Sequence, residues 1–395
     1  MNMPISSKPA SRMPGLPKPP VLKVLGLGGG GCNAISRMIE LGLSSVEYIA
    51  ANTDAQTLKT CLAPTKIQLG PRLTRGLGAG GDPNVGQAAA EESYADLNRA
   101  LTGADMVFLT AGMGGGTGTG SIPIAARVAR NLGAVTIAIV TMPFSFEVGR
   151  RQKNAREGLA QLRQYTDTLI TVPNDRLLQI AEKNLPLELT FRMADDVLRQ
   201  GIMGITELIT QPGLINVDFA HVRQIMQLGG GSLLAIGTAS GPGKAIQAVE
   251  RALHHPLIES INLENATGII ANFTAGQDLT FMEVADALTF LQSKTTNQAD
   301  IIPGIIVNDS MGDKVQVILV ITGLGATPID DKPSNPSQPV QKHMEIASEH
   351  EVSSHHLLHP EPEPKPQPMA PKSQVEMIAS PVDLDVPAFI RRRLR

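Results

Sequence analysis

The sequence predicts an α/β protein: a doubly wound parallel sheet, a long central helix, a smaller mixed α/β domain and a disordered tail. Three observations carry this. Strand-like apolar segments alternate with helical patterns from residue 21 to about residue 173, as in a parallel sheet covered by helices on both faces. Apolar residues make up 42% of the chain, aromatics only 3%, and Trp is absent. Cores must therefore be built from Ile, Val, Leu, Ala and Met, which suits buried parallel strands. After Ala326 the composition turns abruptly to Pro, Glu, Ser, Gln and His, too polar to pack.

In order along the chain, residues 1–20 are rich in proline and lack the apolar core of a secretion signal, so they read as a loose tail. Strand candidates follow at 21–27, 46–51, 66–69, 105–111, 134–142 and 168–172, with the helix after the fourth strand beginning near Ile122. These form a first domain over 21–186. A helical stretch from about 187 to 209 and its connection fill 187–213. The second domain, 214–326, offers strands at 232–239, 268–274, 303–307 and 314–322. Their looser alternation fits a smaller mixed sheet better than a second nucleotide fold. Residues 327–380 form a disordered linker, and 381–395 end it with an apolar-basic peptide that reads as a short linear motif on a tether. The alternative there is a frayed terminus.

Composition narrows the function classes. A net charge of −3 gives no reason to expect nucleic acid as a partner. Cys32 and Cys61 are too few for a disulfide framework, which makes a reducing cytoplasm the default. No apolar run approaches the ~18 residues of a membrane span. Met193, Met203 and Met226 fall in helical stretches and read as core filler. His355, His356 and His359 sit in the polar linker and read as solvated.

Chemistry concentrates in two glycine-rich turns. Gly114-Gly115-Gly116-Thr117-Gly118-Thr119-Gly120 follows the fourth strand and precedes a helix. Glycines let backbone N–H groups approach a ligand, the two Thr hydroxyls add donors, and the helix dipole favours an anion. This is a phosphate cradle without the Gly-Lys-Ser/Thr ending of a Walker loop. A flexible linker would not be flanked directly by strand and helix. The first strand ends in Gly26-Leu27-Gly28-Gly29-Gly30-Gly31, which satisfies the dinucleotide pattern of NAD enzymes. Two glycine turns at neighbouring strands, however, suit one nucleotide with a long phosphate chain, and Asp54 comes late for gripping a ribose.

With these residues in hand the chain resembles FtsZ, the tubulin-related GTPase family of bacterial cell division. The similarity runs from about Leu22 to Gly325 and over the last dozen residues. It is carried by 28–33, Asn52-Thr53-Asp54, 76–83, the 114–120 turn, 143–147, 173–175, 191–204, 212–219 and the tail 383–390. The resemblance implies GTP/GDP with Mg²⁺ as cofactors. Gly29, Gly30, Gly31, Cys32 and Asn33, with the 114–120 turn, would hold phosphates, and Ala79, Gly80 and Gly81 would sense the γ-phosphate. Asp54 would lie near Mg²⁺ as a hard oxygen ligand. Glu147 and Arg151 would flank ribose and base, Asn174 would join the site, Phe191 would stack on the base, and Asp195 would accept two hydrogen bonds from guanine. Without the glycine turns, Glu147 and Arg151 would read as a surface ion pair, and Phe191 as core.

The resemblance also implies that the next subunit of a filament completes the site, through an Asn-x-Asp-x-x-Asp segment. Here Asn216 and Asp218 match, but His221 stands where the family has its second aspartate. A histidine offers one acceptor nitrogen at most, although its ordinary pKa suits a general base. The expectation is GTP binding and filament assembly with slow or unusual hydrolysis. Two alternatives stand beside it: ordinary turnover on Asp218 alone, or a structural second copy that modulates another polymer. Met142 replaces a residue that is often basic in the family. The tail 381–395 would dock on membrane-tethering division proteins such as FtsA, SepF or ZipA, with Arg391 to Arg395 as an alternative lipid contact. The membrane is then met only indirectly, at the midcell ring.

Overall fold

The structure is a computed structural model of the 395-residue chain. It describes residues 19–43, 45–147, 149–176, 186–211, 217–229, 231–254, 263–295 and 299–324. Residues 1–18 of the N-terminal tail, the linker 327–380 and the peptide 381–395 of the sequence reading lie outside the described residues, as do His355, His356 and His359.

The strands fall within one or two residues of their expected positions, except at one edge. They are β1 (Leu22–Leu27), β2 (Glu47–Asn52), β3 (Thr65–Gln68), β4 (Met106–Gly112), β5 (Val135–Met142) and β6 (Thr168–Pro173). After the long helix come β7 (Ser232–Ser240), β8 (Gly268–Ala275), β9 (Asp300–Val307) and β10 (Lys314–Thr322). The spatial order is β3-β2-β1-β4-β5-β6-β7-β10-β8-β9. All pairings among the first six are parallel. β10 runs antiparallel to β7 and β8, while β8 and β9 pair in parallel. The second sheet is thus mixed, as its looser alternation predicts. It is not separate: β6 and β7 join at Ile170 and Ser232, so one ten-stranded sheet results. β9 starts three residues before Pro303, which an edge strand tolerates because no ladder needs its missing N–H.

Helices cover both faces: α1 (Gly28–Glu40), α2 (Ala55–Thr60), α3 (Pro83–Glu92), α4 (Tyr94–Leu101), α5 (Thr117–Asn131), α6 (Arg150–Leu162), α7 (Leu187–Thr210), α8 (Phe219–Gln227), α9 (Lys244–Leu253) and α10 (Phe281–Ser293). Every residue of β1 is buried, as a strand with helices on both sides demands. One core, under α1, α7 and α8, gathers Ile35, Met38, Leu198, Ile202, Val222 and Met226; a second, under α3 to α6, gathers Leu97, Ile122, Ala126 and Leu159. Met226 is core filler, and Met203 packs against the same core. A third core, under α9 and α10, is centred on Phe273, Val249 and Leu291. Among the described residues no helix is long and apolar enough to cross a membrane.

The long helix α7 matches its expected start and ends one residue later. At 1.5 Å per residue it is about 36 Å long, against about 26 Å for an eight-residue strand. It therefore carries the chain from the carboxyl ends of the parallel strands to their amino ends. α8 lies at that far end. Its Met226 carbonyl accepts from the hydroxyl of Thr168, the residue that opens β6, at 2.7 Å. Its Ile225 carbonyl accepts from Thr322, the partner of the first residue of β7, at 3.4 Å.

Phe273 is among the largest fully buried side chains, so Phe273→Ala removes a ring that neighbours cannot replace. Unfolding free energy should fall by about 3–5 kcal/mol, seen as a lower midpoint in urea followed by circular dichroism.

Candidate nucleotide site

The order β3-β2-β1-β4 reverses direction at β1, and ligands in doubly wound sheets bind in the crevice at that switch, beyond the strand carboxyl ends. Both glycine turns are there. They are shorter than the sequence suggests, because the glycines themselves start the helices. α1 begins at Gly28, directly after β1, and α5 begins at Thr117, five residues before the expected Ile122. Tertiary packing overrides glycine's poor helix propensity. A Cβ on Gly28 would meet the Gly118 amide nitrogen at 2.8 Å, and one on Gly31 would meet the Thr110 carbonyl oxygen at 2.6 Å. The two turns are packed backbone on backbone.

Neither α1 nor α5 has a side-chain N-cap or an acidic residue in its first turn. Their first N–H groups are the ones a helix leaves without intrahelical partners, and they carry the positive end of the dipole. On the outer side, a Cβ at Gly29 or Gly115 would meet nothing within 4 Å. These features fit an anion seated on two converging helix ends. Thr117 and Thr53 share a hydroxyl hydrogen bond at 2.6 Å, and the Thr119 hydroxyl accepts from the Gly114 amide at 2.8 Å. Thr119 is thereby a brace within the turn. Cys32 is buried, while Asn33 is exposed.

A third wall comes from residues 76–82 and α3. Gly120 accommodates the Pro83 carbonyl and Gly86 the Gly116 carbonyl so closely that a Cβ would overlap either oxygen. Asp82 caps α3, accepting from the Asn84 amide at 2.9 Å. Ala79 is buried, while Gly80 and Gly81 are exposed, in positive-φ conformations, with open space beside them. Asn154 of α6, which the sequence reading omits, donates to both Gly81 and Gly114 carbonyls at 3.3 Å and ties the two turns together. It lies three residues after Arg151 and so on the same helical face, the one signal that pointed to it.

The fourth wall is aromatic and acidic. Phe144 is buried; Phe146 stacks on it with centroids 5.0 Å apart, and Phe191 meets it edge-on at 5.4 Å. Phe191 remains 41% exposed, so it is no core residue and presents ring surface outward. Glu147 and Arg151 pair with one another at 3.0 Å, and Glu147 also accepts from the Phe144 amide at 2.9 Å. Asn174 is buried, and its Oδ1 has no protein donor. Asp195 pairs with Arg37 of α1 at 3.2 Å. Burial pushes its carboxyl up to about 7, and the Arg37 guanidinium only partly opposes this. Nothing in the sequence links Arg37 to Asp195; their proximity depends on α7 lying beside α1.

Asp54 is half-buried and caps α2: its Oδ1 accepts from the Gln56 and Thr57 amides at 2.8 and 3.3 Å. One carboxylate oxygen is therefore engaged. Among the described residues no group of three or more His, Cys, Asp or Glu is placed to hold a metal ion. A cation at Asp54 would draw most of its ligands from phosphate and water, as Mg²⁺ commonly does. Asp218 and His221 are exposed on the first turn of α8, at the far end of the sheet, and Asp218 caps that helix through the Ala220 amide at 3.1 Å. The structure does not bring them to the glycine turns of the same chain. Asn216 lies outside the described residues.

The Asp195 carboxyl sets a pH dependence of stability. Its folded pKa is raised above the unfolded value, so its stabilisation is complete below the unfolded pKa, about 3.9, and is lost as pH rises through about 7. Nucleotide-free protein should show a falling urea midpoint from pH 5 to 8, and Asp195→Asn should flatten that slope.

Comparison with known proteins agrees with this geometry. The family model described as "Tubulin/FtsZ family, GTPase domain" matches residues 21–182, and "FtsZ family, C-terminal domain" matches 230–325. A solved FtsZ dimer from M. jannaschii is 43% identical, with a TM-score of 0.74 over 78% of this chain and 89% of that one. A point mutant of FtsZ from the same organism gives 43% identity and 0.74 over 77% and 91%. GDP-bound CetZ1 from Haloferax volcanii shares the fold at 18% identity, with a TM-score of 0.67 over 78% and 96%. With family models matching both halves and 43% identity to a solved FtsZ over most of its length, the chain belongs to the FtsZ family of tubulin-like GTPases.

Proposed function

We propose that the chain binds GTP at the β1/β4 switch point, assembles head to tail, and forms the cytokinetic ring at the division site. The observation that carries this is the convergence of the uncapped starts of α1 and α5 beside the aromatic and acidic wall. The helix starts take the phosphates, Phe191 stacks on the base, and Asp195, deprotonated, accepts from guanine N1–H and the 2-amino group. Adenine offers no such pair, so GTP is preferred. The unpartnered Asn174 Oδ1 suits a further donor from the base. Mg²⁺ beside Asp54 would neutralise phosphate charge.

In this reading hydrolysis occurs between subunits. Asp218 and His221 lie at the amino ends of the strands and the glycine turns at the carboxyl ends, so a neighbour in head-to-tail register supplies them. The related structure described as an FtsZ dimer supports such association. Asn216 and Asp218 orient the attacking water, and His221 replaces the carboxylate that would complete the set. The tail 381–395 would dock on a tether such as FtsA, SepF or ZipA, placing a cytoplasmic polymer under the inner membrane at midcell.

The exposed His221 favours a second reading, a structural or modulatory polymer with little hydrolysis. Light scattering and phosphate release on the same sample separate the two. Wild type should assemble with GTP and release phosphate slowly. His221→Asp should raise release by up to the ~10²–10⁴-fold that a positioned base contributes. Equal rates in both proteins would make His221 a tolerated surface residue.

Guanine recognition has its own test. Because Asp195 must be ionised to accept, GTP should bind more tightly as pH rises from 6 to 8, and Asp195→Asn should lose both the pH effect and the preference over ATP, measured by calorimetry.

A further inference from the structure

The two cysteines are distant in sequence but meet behind the phosphate-binding turn. Cys32 lies in the first helical turns of α1 and Cys61 ends α2; their residues are 1% and 5% exposed. The Cys61 thiol donates to the Cys32 carbonyl oxygen at 3.5 Å, which places its sulfur beside the first turns of α1. Ser36 closes the cluster, with its hydroxyl 3.5 Å from Cys61 Sγ and 3.0 Å from the Cys32 carbonyl. Asn52, at the end of β2, places its amide 3.9 Å from Cys32 Sγ.

We propose that Cys32 and Cys61 are a reversible redox pair, oxidised by a peroxide, whose disulfide pulls the first turn of α1 out of its phosphate-binding shape. The second half of that statement rests on the reading of residues 28–33 as the phosphate cradle.

The chemistry divides between the two sulfurs. The hydrogen bond from Cys32, the Ala63 amide, the Ser36 hydroxyl and the charge of Lys66 hold the Cys61 thiol below the ordinary range against the opposing effect of burial. The contact with Cys61 and burial push Cys32 up. With the Ser36 hydroxyl 3.5 Å from its sulfur and the exposed Leu62 next in the chain, Cys61 is assigned as the nucleophile. Its thiolate attacks one peroxide oxygen, the O–O bond breaks, and hydroxide leaves, giving the Cys61 sulfenic acid. Cys32 sulfur then attacks Cys61 sulfur, releasing the sulfenic oxygen as water with the Cys32 proton. Two thiols become one disulfide and peroxide is reduced. Access runs through the end of a six-residue helix followed by the half-exposed Leu62, a segment of the kind that opens locally at low cost.

The consequence follows from packing. The two sulfurs must close to about 2.05 Å to bond. The Cys32 backbone cannot follow freely, because the adjacent Gly31 already abuts the Thr110 carbonyl. The turn 28–31 must shift or rotate, which misaligns the N–H groups aimed at phosphate. A transient regulatory disulfide of this kind is compatible with a reducing compartment.

The test uses the full-length protein, reduced or treated with hydrogen peroxide, with intact mass, thiol labelling and binding of fluorescent GTP measured together. Treated wild type should lose both thiols and the mass of two hydrogens, and bind GTP at least about tenfold more weakly; dithiothreitol should restore both. Cys61→Ser should bind GTP as reduced wild type does and keep doing so after peroxide. Two free thiols after treatment, or a sulfinic acid without a disulfide, would overturn the pair. A disulfide with unchanged GTP binding would overturn its effect on the turn. Should reduced wild type fail to bind GTP, the cradle reading fails instead, while the mass still decides whether the disulfide forms. Should Cys61→Ser misfold, the dithiothreitol reversal on wild type decides alone.

Discussion

The close approach of two backbone turns is the constraint on which the rest of the structure depends. β1 and β4 are neighbours, and each passes directly into a helix whose first turn is glycine-rich. Side chains there would hold the turns apart: a Cβ on Gly28 would meet the Gly118 amide nitrogen at 2.8 Å, and one on Gly118 would meet the Leu27 carbonyl oxygen at 3.3 Å. Packed together, the turns aim the free N–H groups of α1 and α5 at one region. Everything else at the site is arranged around that convergence: α3 closes over it, Asn154 stitches its edges, and α7 brings a ring and a carboxylate to its side.

What the sequence made legible was periodic or chemically singular. Short apolar runs such as Met106-Val107-Phe108-Leu109 followed by glycine-rich turns pointed to buried strand, and the helical stretch of α7 was placed to within a residue at both ends. The glycine turns stood out because so many glycines between strand and helix signal close backbone approach, and the structure packs them in that way. What stayed hidden depends on which elements touch. The start of α5 inside Thr117-Gly118-Thr119-Gly120 contradicts local propensity and is imposed by neighbours. The Arg37–Asp195 pair and the Cys32–Cys61 contact join residues that no spacing relates.

The second half carries the mixed sheet that was expected. Its β7 joins the edge of β6 through one residue pair, while α7 is laid across the junction. Gly201 meets Leu234 and Ile139, Gly204 meets Ile318, and Asn272 donates to the Gly204 carbonyl at 3.1 Å. Two small residues three apart let the helix lie close to the strands of both halves. The side chain at the top of this helix touches the aromatic wall, and Leu208 near its bottom packs over Gly304 of β9. One rigid element thus contributes both to the nucleotide site and to the support of the second half.

A polar arrangement of this kind separates binding from turnover. Under the proposed function the glycine turns and Asp195 lie at one end of a subunit, while Asp218 and His221 lie at the other. A subunit can hold nucleotide alone but cannot attack it alone. The contact that unites the two ends is heterologous and does not close on itself, so it extends into a filament. Side chains on the first turn of α8 then act on a neighbour's nucleotide and leave their own subunit's affinity untouched. Evolution at position 221 can therefore alter the lifetime of a filament without altering how its subunits bind GTP, which is why a histidine there is informative where a change within the glycine turns would simply disable the site.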